Sequence, residues 1–129
     1  MSAKRILVID DDVEFLQELE ETLRLSGYEV YAINEAVKAV GAAVQLQPDI
    51  ILLDLKMDGM SGFEVAKGLR KSAKTARIPI IAISAFFSET QDCTVMDFFQ
   101  IRRFLQKPFN PLDVITNIES TLKNAEASC

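Results

Sequence analysis

The chain has 129 residues, 49% hydrophobic and 26% charged, which is the length and composition of one soluble globular domain built on one core. Fourteen Lys and Arg against nineteen Asp and Glu leave a net charge of −5, so the average surface repels phosphate backbones and anionic headgroups, against direct nucleic-acid binding. Histidine is absent, which removes Ser-His-Asp and Cys-His catalysis, His-ligated zinc and phosphohistidine donation.

No apolar run reaches the roughly twenty residues needed to span a bilayer. Cys93 and Cys129 have no metal-ligand spacing, and no leader-type segment precedes Arg5. These features predict a cytoplasmic protein with free thiols.

In chain order, β-branched and aliphatic runs alternate with stretches of helical period, the pattern of βαβ units on a parallel sheet. The first strand is expected over about Arg5 to Ile9. A helix follows, opened by Asp11 with Glu14 at capping-box spacing, carrying Leu16, Leu19 and Leu23 on one face and closed by Gly27. The second strand runs from Glu29 to Ile33, and the helix after it presents Val37, Val40 and Val44. Ile50 to Leu53 form the third strand, and Ser61 with Glu64 opens the third helix. The fourth strand is Ile80 to Ser84, before a fourth helix opened by Ser88 with Gln91. Arg103 to Gln106 form the fifth strand, and Asn110 with Pro111 starts a last helix striped by Leu112, Ile115, Ile118 and Leu122. The first, third and fourth strands are almost wholly apolar and are therefore central. We expect a single domain over residues 1–124 and a C-terminal tail at 125–129.

The chemistry gathers at strand ends. Asp10-Asp11-Asp12 follow the first strand, Asp54 the third, Ser84 closes the fourth, and Lys107-Pro108-Phe109 follow the fifth. In an open α/β sheet those ends face the ligand crevice, and clustered carboxylates with room for water suit Mg²⁺. Helix capping by Asp11 and Asp12 explains each acid separately. It does not explain why an ammonium and a hydroxyl arrive at the same edge, a set suited to a carboxylate that accepts a phosphoryl group.

Five segments in order make the resemblance specific: Arg5–Asp12, Pro48–Leu55, Gly59–Glu64, Ile78–Ala85 and Phe104–Phe109. Across essentially its whole length the chain resembles the receiver domain of two-component response regulators. That resemblance implies a flavodoxin-like (βα)5 three-layer sandwich with a five-stranded parallel sheet of order 2-1-3-4-5. It also implies that Asp54 is the phosphoacceptor, taking its phosphoryl group from a sensor histidine kinase or a histidine phosphotransfer protein. Mg²⁺ would be held by Asp11 directly, by Asp10 through water, and by Asp54 and the backbone carbonyl of Lys56. Ser84 and Lys107 would bind the phosphoryl group, and Phe104 would be the aromatic switch. Such a domain catalyses only its own phosphorylation and dephosphorylation. The Lys107-Pro108 bond is cis in many such domains, although trans is the general default.

The chain departs from the pattern at Asp58, where receivers usually carry proline, and at Gln100-Ile101-Arg102-Arg103, which replaces a small Gly-Ala turn. Lys56 and Phe86 stand where receivers tune acyl-phosphate hydrolysis. Six of the eight phenylalanines (Phe86, Phe87, Phe98, Phe99, Phe104 and Phe109) fall near the fourth helix and fifth strand. They form either a bulky local core or an apolar docking surface, for a second copy or an output partner, on the face made by the fourth helix, fifth strand and fifth helix. Three other protein classes share part of this pattern. A degenerate receiver would bind partners constitutively. A haloacid-dehalogenase phosphatase also begins with a strand and Asp-x-Asp, but Glu14 stands where its Thr or Val is expected and the chain has no room for a cap. A flavodoxin would place its flavin phosphate against three aspartates.

Overall fold

The computed structural model describes residues 3–57, 59–85 and 98–123. The expected fourth helix at Ser88, together with Asp58, Phe86, Phe87, Cys93 and residues 124–129, lies outside them. The elements are β1 (Arg5–Ile9), α1 (Val13–Leu25), β2 (Glu29–Ile33), a 3-10 turn (Ala36–Lys38) running into α2 (Ala39–Leu46), β3 (Ile50–Asp54), α3 (Gly62–Lys71), β4 (Ile80–Ser84), β5 (Ile101–Gln106) and α4 (Pro111–Lys123). The sheet is parallel throughout, in the order β2-β1-β3-β4-β5. No helix among the described residues is long and apolar enough to cross a membrane.

Strand alternation splits the core into two layers. Leu7, Ile9, Ile51, Leu53, Ile80 and Ala82 face α2 and α3. Ile6, Val8, Ile50, Leu52 and Ile81 face α1 and α4. The three central strands are thus buried on both sides, as their unbroken apolar runs require. In α1, Leu16, Leu19 and Leu23 are the buried residues, and Gly27 follows the helix at φ 97°, a conformation glycine adopts without strain.

Several expectations shift by a residue or a face. The side chain that caps α1 is Asp12, accepting the Phe15 N–H at 3.2 Å, rather than Asp11. Asp10 receives the Asp12 N–H at 2.9 Å, which delays the helix by one position. The buried face of the second helical segment is Ala36, Ala39 and Ala43, while Val37 is 71% exposed. The buried stripe thus runs one residue ahead of the valines, with the same spacing of three followed by four. Val40 then fills the space over Gly68 of α3, where an added Cβ would stand 2.9 Å from its Cγ2. In α4 the buried residues are Val114, Ile118 and Thr121, and Leu112 is exposed.

β5 begins two residues early. Its pairing with β4 slips between Ile80 and Ile81, so that Ile81 faces Arg103 and Arg102 is the extra residue of a bulge. The bulge lets Ile101 and Phe104, three apart, both face the α2–α3 layer. The segment before β5 is held by Arg70 of α3. Its Nε and Nη2 donate to the carbonyls of Phe99 (2.8 Å) and Gln100 (3.0 Å), and its Nη1 donates to those of Thr75, Ala76 and Ile78.

The opposite end of α3 bears on the sheet edge. Ser61 caps the helix through the Glu64 N–H, and the Gly62 N–H donates to Leu55 O at 3.0 Å. A Cβ on Gly62 would lie 2.3 Å from Asp54 O and 2.5 Å from Leu55 Cα. Gly62→Ala is therefore expected to cost about 1–3 kcal/mol by overpacking against backbone, and to displace the Asp54 amide resonance. Gly41→Ala, in open space on α2, should instead gain up to about 1 kcal/mol. Urea denaturation of the two variants checks this; equal effects would mean that α3 does not seat on Asp54.

Candidate functional site

Parallel strands deliver their carboxyl ends to one edge, and the polar residues that interrupt the apolar runs all sit there. Asp10 follows β1 directly and is fully buried; Asp54 ends β3 and is 4% exposed. Because β1 and β3 are neighbours with Ile9 opposite Leu53, the two acids stand side by side. Ser84 ends β4, buried, and its carbonyl accepts the Lys107 N–H at 2.7 Å. Lys107 follows β5, across a cis bond to Pro108.

Each buried carboxylate is used at both oxygens. Asp10 Oδ1 accepts from the Asp12 backbone and Oδ2 from Lys107 Nζ at 2.5 Å. Asp54 Oδ1 accepts from the Lys56 backbone at 2.9 Å, and Oδ2 stands 3.5 Å from the same Nζ. One ammonium thus serves two carboxylates. Burial pushes the Asp54 carboxyl up to about 6. The Lys56 N–H holds it down, the Asp10 carboxylate adds to the rise, and Lys107 opposes it. Asp10, Asp11 and Asp54 bring carboxylate oxygens within 4.8 Å of one another. A hard, all-oxygen donor set with Asp11 only half-buried suits Mg²⁺, which keeps several waters, and does not suit a soft thiolate-seeking metal.

Asp10, Asp11, Asp54 and Lys107 are therefore brought together, with Ser84 on the adjacent strand end. Lys56 is exposed in the loop after β3, and Phe104 packs, partly buried, on the α2–α3 layer of the core. Asp12 lies outside the cluster on the helix cap. One neighbour was not legible in the sequence: Lys107 Nζ sits over the ring of Phe15, 4.0 Å from its centroid. Phe15 reads locally as one more apolar residue of α1, with no signal of a partner at the far end of the chain.

Residues 6–119 match the response regulator receiver domain family, and the chain belongs to it. It is 33% identical over 122 residues to the DNA-binding dual master transcriptional regulator RpaA of Synechocystis sp., covering 95% of this chain and 50% of that protein. The chain spans about half the length of the curated relatives it matches. Its fold superposes on the chemotaxis protein CheY4 of Vibrio cholerae with a TM-score of 0.86 at 26% identity, covering 92% of this chain and 98% of that one. The receiver domain of the sensor histidine kinase PA1611 of Pseudomonas aeruginosa, solved with a magnesium ion in its active-site cleft, shares the fold. That likeness has a TM-score of 0.84 at 23% identity, over 95% of this chain and 100% of that one. Receiver domains are the phosphoacceptor modules of two-component signalling: they interact with histidine kinases and generally bind Mg²⁺ at an acidic site.

The raised Asp54 value has a thermodynamic sign. Between its ordinary 3.8 and about 6, the folded protein holds more proton than the unfolded chain. The group's contribution to stability is then greatest below about pH 4 and falls as the pH rises through 6. In metal-free protein Asp54→Asn should be more stable than the parent at pH 7.5, by on the order of 1–2 kcal/mol, with the difference closing toward pH 4. Urea midpoints across that range check it, and a difference independent of pH would contradict the assignment.

Proposed function

We propose that Asp54 accepts the phosphoryl group, with Asp10, Asp11, Asp54 and the backbone carbonyl of Lys56 as the residues that hold Mg²⁺. The observation that carries this reading is the sharing of Lys107 between two buried acids at adjacent strand ends, one of them Asp54. An Asp54 oxygen attacks the phosphorus of a phosphohistidine. The P–O bond forms as the P–N bond breaks, and the imidazole leaves with the bonding pair. The ion, when bound, offsets charge on the phosphoryl oxygens. Lys107 pairs with the new phosphoryl group, and the Ser84 hydroxyl donates to one of its oxygens. Movement of Ser84 makes room for Phe104, which turns a local charge change into a packing change.

The donor is a sensor histidine kinase or a histidine phosphotransfer protein, in the cytoplasm. The output is a change in what the face around β5 and the flanking helices binds, either a second copy or an output partner. With a net charge of −5, this domain works through protein contacts rather than on nucleic acid directly. A degenerate receiver is not favoured, since every residue the phosphoacceptor role requires is present in the sequence.

Incubation with Mg²⁺ and acetyl phosphate should add one phosphoryl group, located by mass measurement at Asp54 and lost in Asp54→Asn. Full labelling of that variant would overturn the assignment. Asp11→Ala should weaken Mg²⁺ binding about tenfold or more, whereas Asp12→Ala should leave affinity nearly unchanged and cost about 1 kcal/mol of stability through the lost cap. Equal losses of affinity in a metal titration would place the ligands one residue away.

A further inference from the structure

Lys107 carries three N–H donors on a side chain only 13% exposed. Two directions are taken by Asp10 Oδ2 and Asp54 Oδ2. A third side of the ammonium meets the face of Phe15, 4.0 Å from the ring centroid, inside the distance at which an aromatic quadrupole attracts a cation. Phe15 is itself held twice. Its backbone N–H is the group that Asp12 caps. Its ring packs edge-to-face on Phe109, with centroids 5.6 Å apart and planes at 85°. Phe109 lies two residues beyond Lys107, so the segment that supplies the ammonium also orients the ring beneath it.

We propose that Phe15 is the positioning residue of Lys107, a cation–π seat that keeps the ammonium in the acid cluster while leaving it free to pivot. Any apolar side chain of similar size would fill this part of the α1–α4 core. Only an aromatic face also offsets the loss of water around a mostly buried cation. The form of the contact matters as well. A hydrogen bond fixes direction, whereas attraction to a ring face is broad, so Nζ can swing from Asp10 and Asp54 toward a phosphoryl oxygen without leaving its seat. This last step rests on Asp54 being the phosphoacceptor; the seat in the unphosphorylated protein does not.

The test is a series of proteins with mono-, di- and trifluorinated phenylalanine at position 15, alongside Phe15→Leu. Fluorine withdraws charge from the ring face at nearly constant shape, so a packing role leaves every readout flat. In the unphosphorylated protein, proton exchange of the Lys107 ammonium, followed by its ¹⁵Nζ resonance, should accelerate with each fluorine while the melting temperature holds. Phosphorylation by acetyl phosphate should slow stepwise, by about threefold to thirtyfold across the series, with Phe15→Leu slowest and Phe15→Tyr close to the parent. Exchange indifferent to fluorine overturns the seat even if Asp54 takes its label. Graded exchange with an ungraded labelling rate overturns the positioning role. Graded exchange in a protein that never labels at Asp54 upholds the seat and refutes the Asp54 reading instead.

Discussion

Two carboxylates buried at neighbouring strand ends are the constraint that the rest of the molecule accommodates. Asp10 and Asp54 lie almost wholly out of water, where burial and the neighbouring Asp10 carboxylate raise the proton affinity of Asp54. A hydrophobic pair would be tolerated there with far less cost. The sheet keeps the acids together because β1 and β3 are adjacent and parallel, and the fold survives the repulsion because Lys107 reaches both. Removing that ammonium would leave buried charge uncompensated, which is among the more costly changes a protein can suffer. At such a pair a divalent cation or a change of charge acts on groups that little water screens.

The surrounding elements are arranged to keep the acids from relaxing apart. Gly62 lets α3 begin directly on the Asp54 and Leu55 backbone, so β3 cannot withdraw its terminal carboxylate without lifting a helix. The Lys56 N–H and the Asp12 N–H each occupy one carboxylate oxygen, which fixes the side-chain orientation and leaves the other oxygen toward Lys107. The three aspartates after β1 thus have separate tasks. Asp10 anchors the lysine, Asp11 faces the acid cluster, and Asp12 caps the helix that carries Phe15.

The strands and the cluster were legible because each rests on short-range signals: unbroken apolar runs, and acids or a lysine at their ends. The sheet order came with the family resemblance. What could not be read is set by longer range or by phase. The valines of the second helix looked like its buried stripe, but the alanines one residue earlier share the same spacing, so periodicity alone did not decide between two adjacent apolar faces. Asp11 looked like the cap because nothing local says that Asp10 will take the Asp12 N–H and shift the helix by one. The bulge at Arg102 placed the start of β5 two residues early. The roles of Arg70 and Phe15 could not be read, since their partners lie on segments that only the fold brings near.

β5 is one of the two edge strands, less deeply buried than β1, β3 and β4, and a cation holds it at each end. At its start Arg70 gathers the carbonyls of Phe99 and Gln100 together with three from the loop after α3. At its finish Lys107 is fastened to Asp10 and, through its own N–H, to Ser84 O. The two attachments differ in kind. Among the described residues Arg70 donates to backbone carbonyls, whereas Lys107 is held by carboxylates, whose charge would change if Asp54 takes the phosphoryl group as proposed. Phosphorylation would therefore retune the end of β5 nearest Phe104 and leave its start fixed. The bulge places Phe104 on the same layer as Ile101, so a displacement at that end would be felt as a change of packing against the α2–α3 core, while the Arg70 contacts hold the start of the strand.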